Sequence, residues 1–168
     1  MRIDLLTPDM QVNFKEVSAI FRYRNIPYVG SFKCDDERLN EIWQTGAYTV
    51  HLNMQDYVWD GIKRDRLIWI GDLHPEAMTI AHVFGGDESV YATLDLACKQ
   101  YPLPDNWFNG MSAYSMWYLI IQHDWYMHNG DLAFLQKHGD HIKGLIDQMD
   151  NRIAEDGTEN LGGGRFLD

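Results

Sequence analysis

"AYSMWYLIIQHDWYMH", Ala113 to His128, is apolar on nearly every side of a helical wheel. A run this long and uniform predicts a helix buried deep in the protein, not a surface helix with one wet face. Gly130 stops it, and Asp131 opens a long amphipathic helix carrying Leu132, Leu135, Ile142, Leu145, Ile146, Met149 and Ile153. On the other side Ser112 is expected to cap the run, and "PLPDNWFNG", Pro102 to Gly110, reads as a loop.

Further out the same punctuation repeats. Asp87 is placed to cap "ESVYATLDLACKQY", and Gly85-Gly86 to end "PEAMTIAHVF", where Pro75 suits a first helical position. Asp35 or Asp36 precedes Leu39, Ile42, Trp43, Ala47, Val50 and Met54, again at helical spacing. About five helices on short connections predict antiparallel helical hairpins. The character differs before Cys34. Val17, Ala19, Phe21 and Tyr23 alternate with Ser18, Ile20 and Arg22, and "YVGSF", Tyr28 to Phe32, is a second short alternating segment. With "QVNF" ahead of them, these are expected to be the last strands of a sheet, too few to stand alone. "EDGTENLGGGRFLD", Glu155 to Asp168, reads as a flexible exit.

The 168 residues carry a net charge of −11 and no basic stripe, which excludes a nucleic-acid partner. The apolar runs are far short of a membrane span. Met1 to Asp4 does not open on the basic-then-apolar pattern of a secretory signal, and the compartment stays open. Cys34 and Cys98 are the only cysteines and form no CxxC, so they are expected to be two buried or half-buried thiols. His138 and His141, three apart, lack the flanking pattern of a metal site, and no cofactor is expected. Aromatic residues reach 13%, with six Trp and nine Tyr, a content that suits stacking on flat ligands such as sugar rings.

Chemistry concentrates in "DGIKRDRLIWIGD", Asp60 to Asp72. Asp60, Asp65 and Asp72 stand among Lys63, Arg64, Arg66 and two tryptophans, Trp59 and Trp69. Carboxyl groups gathered in a cleft push one another's pKa values apart, so one stays protonated while its neighbours ionise. Ionised carboxylates also accept paired hydrogen bonds from vicinal hydroxyls. The alternative is an exposed loop of ordinary, individually weak ion pairs. Trp107, in the Pro/Asn loop, is either core or the lining of a sugar subsite; His74 and Asp124 are further polar candidates, Asp124 needing compensation near a helix C-terminus.

From "FKCDDERLNEIWQTGAYTVHLNMQDYVWDGIKRDRLIWIGDLHPE" (Phe32–Glu76), through "WFNGMSAYSMWYLIIQHDWYMHNGD" (Trp107–Asp131), to "GGGRFLD" (Gly162–Asp168), the chain resembles the bacterial α-L-rhamnosidases of glycoside hydrolase family 78. The resemblance implies a mainly α fold: a partial (α/α)6 barrel of antiparallel hairpins over 34–168, with residues 1–33 the end of a β-sandwich and its linker. It implies an exo-acting, inverting enzyme that releases terminal α-L-rhamnose from a rhamnose-containing carbohydrate. Asp65 would then be the general acid, although the family's usual acid is a glutamate. Asp60 and Asp72 would bind rhamnose hydroxyls, with Arg64, Trp69 and Trp107 also at the substrate. The activating base, roughly 6.5–9.5 Å from the acid in an inverting enzyme, would lie in the second half of the barrel. The 168-residue chain is therefore expected to be an inactive fragment whose exposed flank self-associates. The alternative is a non-catalytic carbohydrate-binding or structural helical domain.

Overall fold

The structure is a computed structural model describing residues 3–4, 6–7 and 9–160, the side chain of Asp65 excepted. Among these residues it is mainly helical: α1 (Glu37–Asn53), α2 (Leu73–Phe84), α3 (Glu88–Gln100), α4 (Ser112–Asn129), α5 (Leu132–Lys137) and α6 (Gly139–Asp150). The helix limits follow local chemistry. Asp36 accepts from the Arg38 amide to start α1, and Asp87 accepts from the Ser89 amide to start α3. Gly85 and Gly130 end α2 and α4 in the left-handed conformation that favours glycine.

Contacts along the helices fix their directions. Trp43 and Ala47 of α1 lie across from Met78, His82 and Val83 of α2, while Asn53 at the end of α1 reaches Glu76 near the start of α2. These two helices are therefore antiparallel. The pair α3 and α4 is antiparallel too: Tyr91 meets Trp125, and Cys98 meets Tyr118. Between the hairpins, α2 and α4 run parallel, with Asp72 against Tyr114, His74 against Trp117 and His82 against His128. Two hairpins set side by side, with one helix of each in the shared seam, form this core. It is built from Leu73, Ala77 and Ile80 of α2, Val90 and Leu94 of α3, and Tyr118, Ile121 and Trp125 of α4, none more than 1% exposed. Each such leucine, isoleucine or valine stabilises the fold by about 1.5–3 kcal/mol relative to exposure.

Four expectations differ from what is seen. The strands expected in residues 11–32 do not form: no ladder runs through this segment, and Val17, Ile20 and Phe21 are exposed. A strand needs a neighbour to take its amide hydrogen bonds. Here the Val29 and Gly30 amides both turn to the Val83 carbonyl at the end of α2. The long helix after Asp131 is broken into α5 and α6 at His138-Gly139, because the His138 ring is drawn into the core, 4% exposed. Helix α4 begins at Ser112 itself, with Met111 as its cap residue, and the Ser112 hydroxyl has no partner. One side of α4 is partly exposed at Met116, Ile120 and Met127. The "LGGGR" stretch lies outside the described residues. No helix among the described residues is long and apolar enough to cross a membrane.

Candidate functional site

The stretch between α1 and α2 is a compact loop held at its neck. The Asp60 amide donates to the Leu67 carbonyl (3.0 Å), and the two residues form an isolated antiparallel bridge. Gly61–Asp65 makes one π-helical turn, entered through Gly61 at φ 73° and left through Arg66 in the left-handed region at φ 54°. A π turn and a non-glycine residue at positive φ both cost conformational energy, and both are common at functional sites. Asn53 anchors the loop to α1. Its carbonyl accepts from the Trp59 amide (3.0 Å), its side-chain oxygen from the Ile62 amide (3.4 Å), and its side-chain nitrogen donates to Glu76 Oε1 (3.4 Å). Further on, Asn109 pins the outgoing limb by accepting from the Ile70 amide and donating to the Ile68 carbonyl, each at 3.0 Å.

Arg64 donates to Asp60 Oδ2 (2.8 Å), a partly exposed i,i+4 ion pair. Arg66 turns back to the Ile62 carbonyl (3.1 Å). Asp72 accepts from the Tyr114 hydroxyl (2.7 Å), which reaches it because residue 71 is glycine. A Cβ on Gly71 would stand 2.2 Å from the Tyr114 ring, so no larger residue fits without moving that ring. The loop thus contains the ion pair that composition suggests and, beside it, an acidic cluster.

The centre of that cluster is Glu76, which the sequence reading had not singled out. Burial and then the negative charge of Asp60 push its carboxyl up to about 8, against a downward pull from the Asn53 hydrogen bond that outweighs the small further push from Asp72. Glu76 therefore holds its proton to a higher pH than an ordinary glutamate. The sequence carries a signal for it. Asp72 and Glu76 are four residues apart, the spacing that stacks two side chains on one face at the start of a helix.

Trp59 and Trp69 line a neighbouring cleft of about 360 Å³ with Leu96, Tyr101 and Asn109, and Asp60 and Asp72 are not among its lining residues. Trp69 connects the two places, because its ring also stands edge-on to Tyr114, with centroids 6.3 Å apart. Trp107 is 3% exposed, so it is a core residue with no free face for a sugar, contrary to the expectation of a subsite lining. His74 bonds Asp124 (2.8 Å), not Asp72, and His123 bonds the other oxygen of Asp124 (2.8 Å). These two bonds, His74 foremost, hold the Asp124 carboxyl below its usual range and supply the compensation its place near a helix end demands. No group of three or more His, Cys, Asp or Glu among the described residues is arranged to hold a metal ion.

Antiparallel helical hairpins sharing parallel inner helices, with a carboxyl-bearing loop at one end of the seam, define a class of helical-hairpin protein. Residues 27–168 match the bacterial alpha-L-rhamnosidase six-hairpin glycosidase domain, and the chain belongs to that family. Among solved structures it is similar to a rhamnosidase from Klebsiella oxytoca with rhamnose bound, at 21% identity and a TM-score of 0.65, over 76% of this chain and 27% of that one. The chain therefore spans about a quarter of that protein's length. No curated protein matches it.

Proposed function

We propose that this chain supplies the acid-bearing part of the active site of an exo-acting, inverting α-L-rhamnosidase. The observation that carries the reading is the closed loop between α1 and α2, which holds Asp60 at its bridged neck and Asp72, bonded by Tyr114, at its exit, two residues at the family's sugar-binding positions. In this reading both aspartates accept hydrogen bonds from rhamnose hydroxyls. Arg64 steadies Asp60, and Trp69 offers an apolar wall. Asp65, on the π turn, protonates the leaving oxygen. A base from another part of the barrel activates water on the opposite face of the sugar. Residues 1–33 are then the end of a preceding domain and its linker, and 34–168 the first half of the barrel.

Without the base, the 168-residue chain should bind rhamnose and not turn over an aryl α-L-rhamnoside. Its apolar flank, including Met116, Ile120 and Met127 on α4, should drive self-association. The test uses a polypeptide that carries this segment within a whole barrel. Asp65→Asn should lower kcat by about 10²–10⁴-fold with little change in rhamnose affinity. Asp60→Ala should chiefly weaken binding. Proton NMR of the first sugar released should show the inverted anomer. Unchanged kcat in Asp65→Asn would remove Asp65 as the acid, and robust turnover by the 168-residue chain would place the base within it.

A further inference from the structure

The seam between α2 and α4 has a core side and a partly open side. Ala77 and Ile80 of α2 are buried with Tyr118, Ile121 and Trp125 of α4. On the open side Asp124 of α4 stands between two imidazoles. His74 of α2 places its Nε2 at 2.8 Å from Oδ2, and His123 places its Nδ1 at 2.8 Å from Oδ1. The His74 ring also packs against Trp117, with centroids 5.1 Å apart. His74 and Asp124 are partly exposed and His123 mostly so, which makes this an open cluster and not a core network. It adjoins the loop: His74 is two residues past Asp72, and both turn towards α4, Asp72 to Tyr114 and His74 to Trp117 and Asp124. A carboxylate only accepts hydrogen bonds, so the ring nitrogens that face it carry protons. In the neutral ring of His74 this leaves the lone pair on Nδ1, and among the described residues nothing donates to that atom. His123, next to Asp124 in sequence, already gives the carboxylate a donor. The bond across the seam therefore does more than balance a charge: with Trp117 it fixes which nitrogen of His74 is bare and how the ring is turned.

We propose that His74 is a specificity-determining residue of the sugar site, its ring held by Asp124 and Trp117 so that Nδ1 accepts a hydrogen bond from one hydroxyl of the sugar that Asp60 and Asp72 also bind. This rests on the rhamnose-binding reading above. A neutral imidazole adds no charge to a site that already carries two aspartates. Its single lone pair lies in the ring plane and takes one O–H from one direction, where a carboxylate takes several. A sugar that lacks that hydroxyl leaves Nδ1 without its bond and binds more weakly. Asp124 is a positioning residue, acting on the sugar only through the ring; without it the ring can present either nitrogen. His123 serves Asp124 from the solvent side.

The test uses the 168-residue chain, titrated with L-rhamnose by calorimetry at pH 7.5. It is paired with nitrogen-15 NMR of the histidine rings, the His74 signals being those missing from a His74→Ala spectrum. The wild-type chain should show a protonated Nε2 and a bare Nδ1 on His74, and rhamnose should move the Nδ1 signal upfield, as accepting a hydrogen bond does. His74→Ala should weaken rhamnose binding by about tenfold. Asp124→Ala should leave both His74 tautomers populated and weaken binding by about threefold. Of the monodeoxy-rhamnoses, one should bind less well than rhamnose to the wild-type chain and as well as rhamnose to His74→Ala. An Nδ1 signal that saturating rhamnose does not move in the wild-type chain overturns the inference, and that reading needs no variant to fold. So does a His74→Ala chain that binds rhamnose as tightly as wild type, a result that leaves the sugar site standing. No rhamnose binding by the wild-type chain overturns the sugar-site reading itself, and the role of His74 with it.

Discussion

Two of the polar clusters in this small fold are built on opposite rules. Both ring nitrogens of His138 have partners. Its Nε2 bonds Asp95 (2.8 Å), and its Nδ1 meets the Tyr118 hydroxyl (2.6 Å) and the Gln122 amide (3.0 Å). Tyr118 also meets Cys98 Sγ (3.0 Å), and Lys137 closes the outer end on Asp95. Burial lowers the His138 pKa, outweighing the attraction of Asp95, and burial pushes the Cys98 thiol up to about 11. A neutral imidazole and a neutral thiol make no nucleophile, despite the superficial likeness to a Cys-His-Asp set. Around Glu76 the arrangement is reversed, with like charges gathered and one carboxyl left under-bonded. The satisfied network joins α3 and α4 to the α5–α6 corner; the frustrated one lies at the loop. The difference teaches that burial with closed bonds keeps His138 and Cys98 neutral, whereas carboxyls gathered at a loop push one of their own number up.

The comparison can be broken most forcefully at the satisfied side. His138→Ala leaves Asp95, Tyr118 and Gln122 short of a partner and should cost about 3 kcal/mol, read as a lower urea midpoint. Next comes Gly71→Ala. The new methyl displaces Tyr114 from Asp72, and a loss of about 2 kcal/mol is expected, with weaker rhamnose binding in the same preparation.

The third prediction uses pH, where the clusters have opposite signs. The folded pKa of Glu76 lies above its unfolded value, so its contribution to stability is full below about 4.5 and is lost as pH rises through about 8. His138 is depressed on folding, so its contribution is present above about 6.5 and is lost as pH falls below that. Glu76→Gln should therefore raise the Tm by about 3 °C at pH 8.5 and leave it unchanged at pH 4, in scanning calorimetry. The smallest effect is expected at the rim of the satisfied network. Lys137 is 59% exposed, and Lys137→Ala should change stability by less than about 0.5 kcal/mol despite its short bonds to Asp95. A loss above about 2 kcal/mol there would mean that the network is less self-sufficient than its inner bonds imply.

Much of the helical frame is legible in the sequence, because caps are local chemistry. Asp36, Gly85, Asp87, Gly130 and Asp131 all mark helix limits where a reader would put them. The break at His138-Gly139 is harder to read, since the apolar period runs on across it from Leu135 to Ile142 and Gly139 is the one local weak point in the run. The alternating segment before Cys34 misleads for the converse reason: its period is right for a strand, but a strand also needs a neighbour. In the site, Asp60 and Asp72 stand out as charges beside glycines. Glu76 hides, because a glutamate in the first turn of a helix is ordinary, and what sets it apart is Asp60 arriving across a loop whose π turn no pattern announces. Trp107 shows the same limit, since a loop residue in sequence can still be core in space.

For a lineage accumulating substitutions, Gly71 and Tyr114 act as a ratchet. Any side chain at 71 collides with the ring at 114, and a smaller residue at 114 takes away the hydroxyl that holds Asp72. A step at position 71 therefore comes first only at the expense of packing. Once 114 has lost its ring, position 71 is free to fill, and filling it closes the way back.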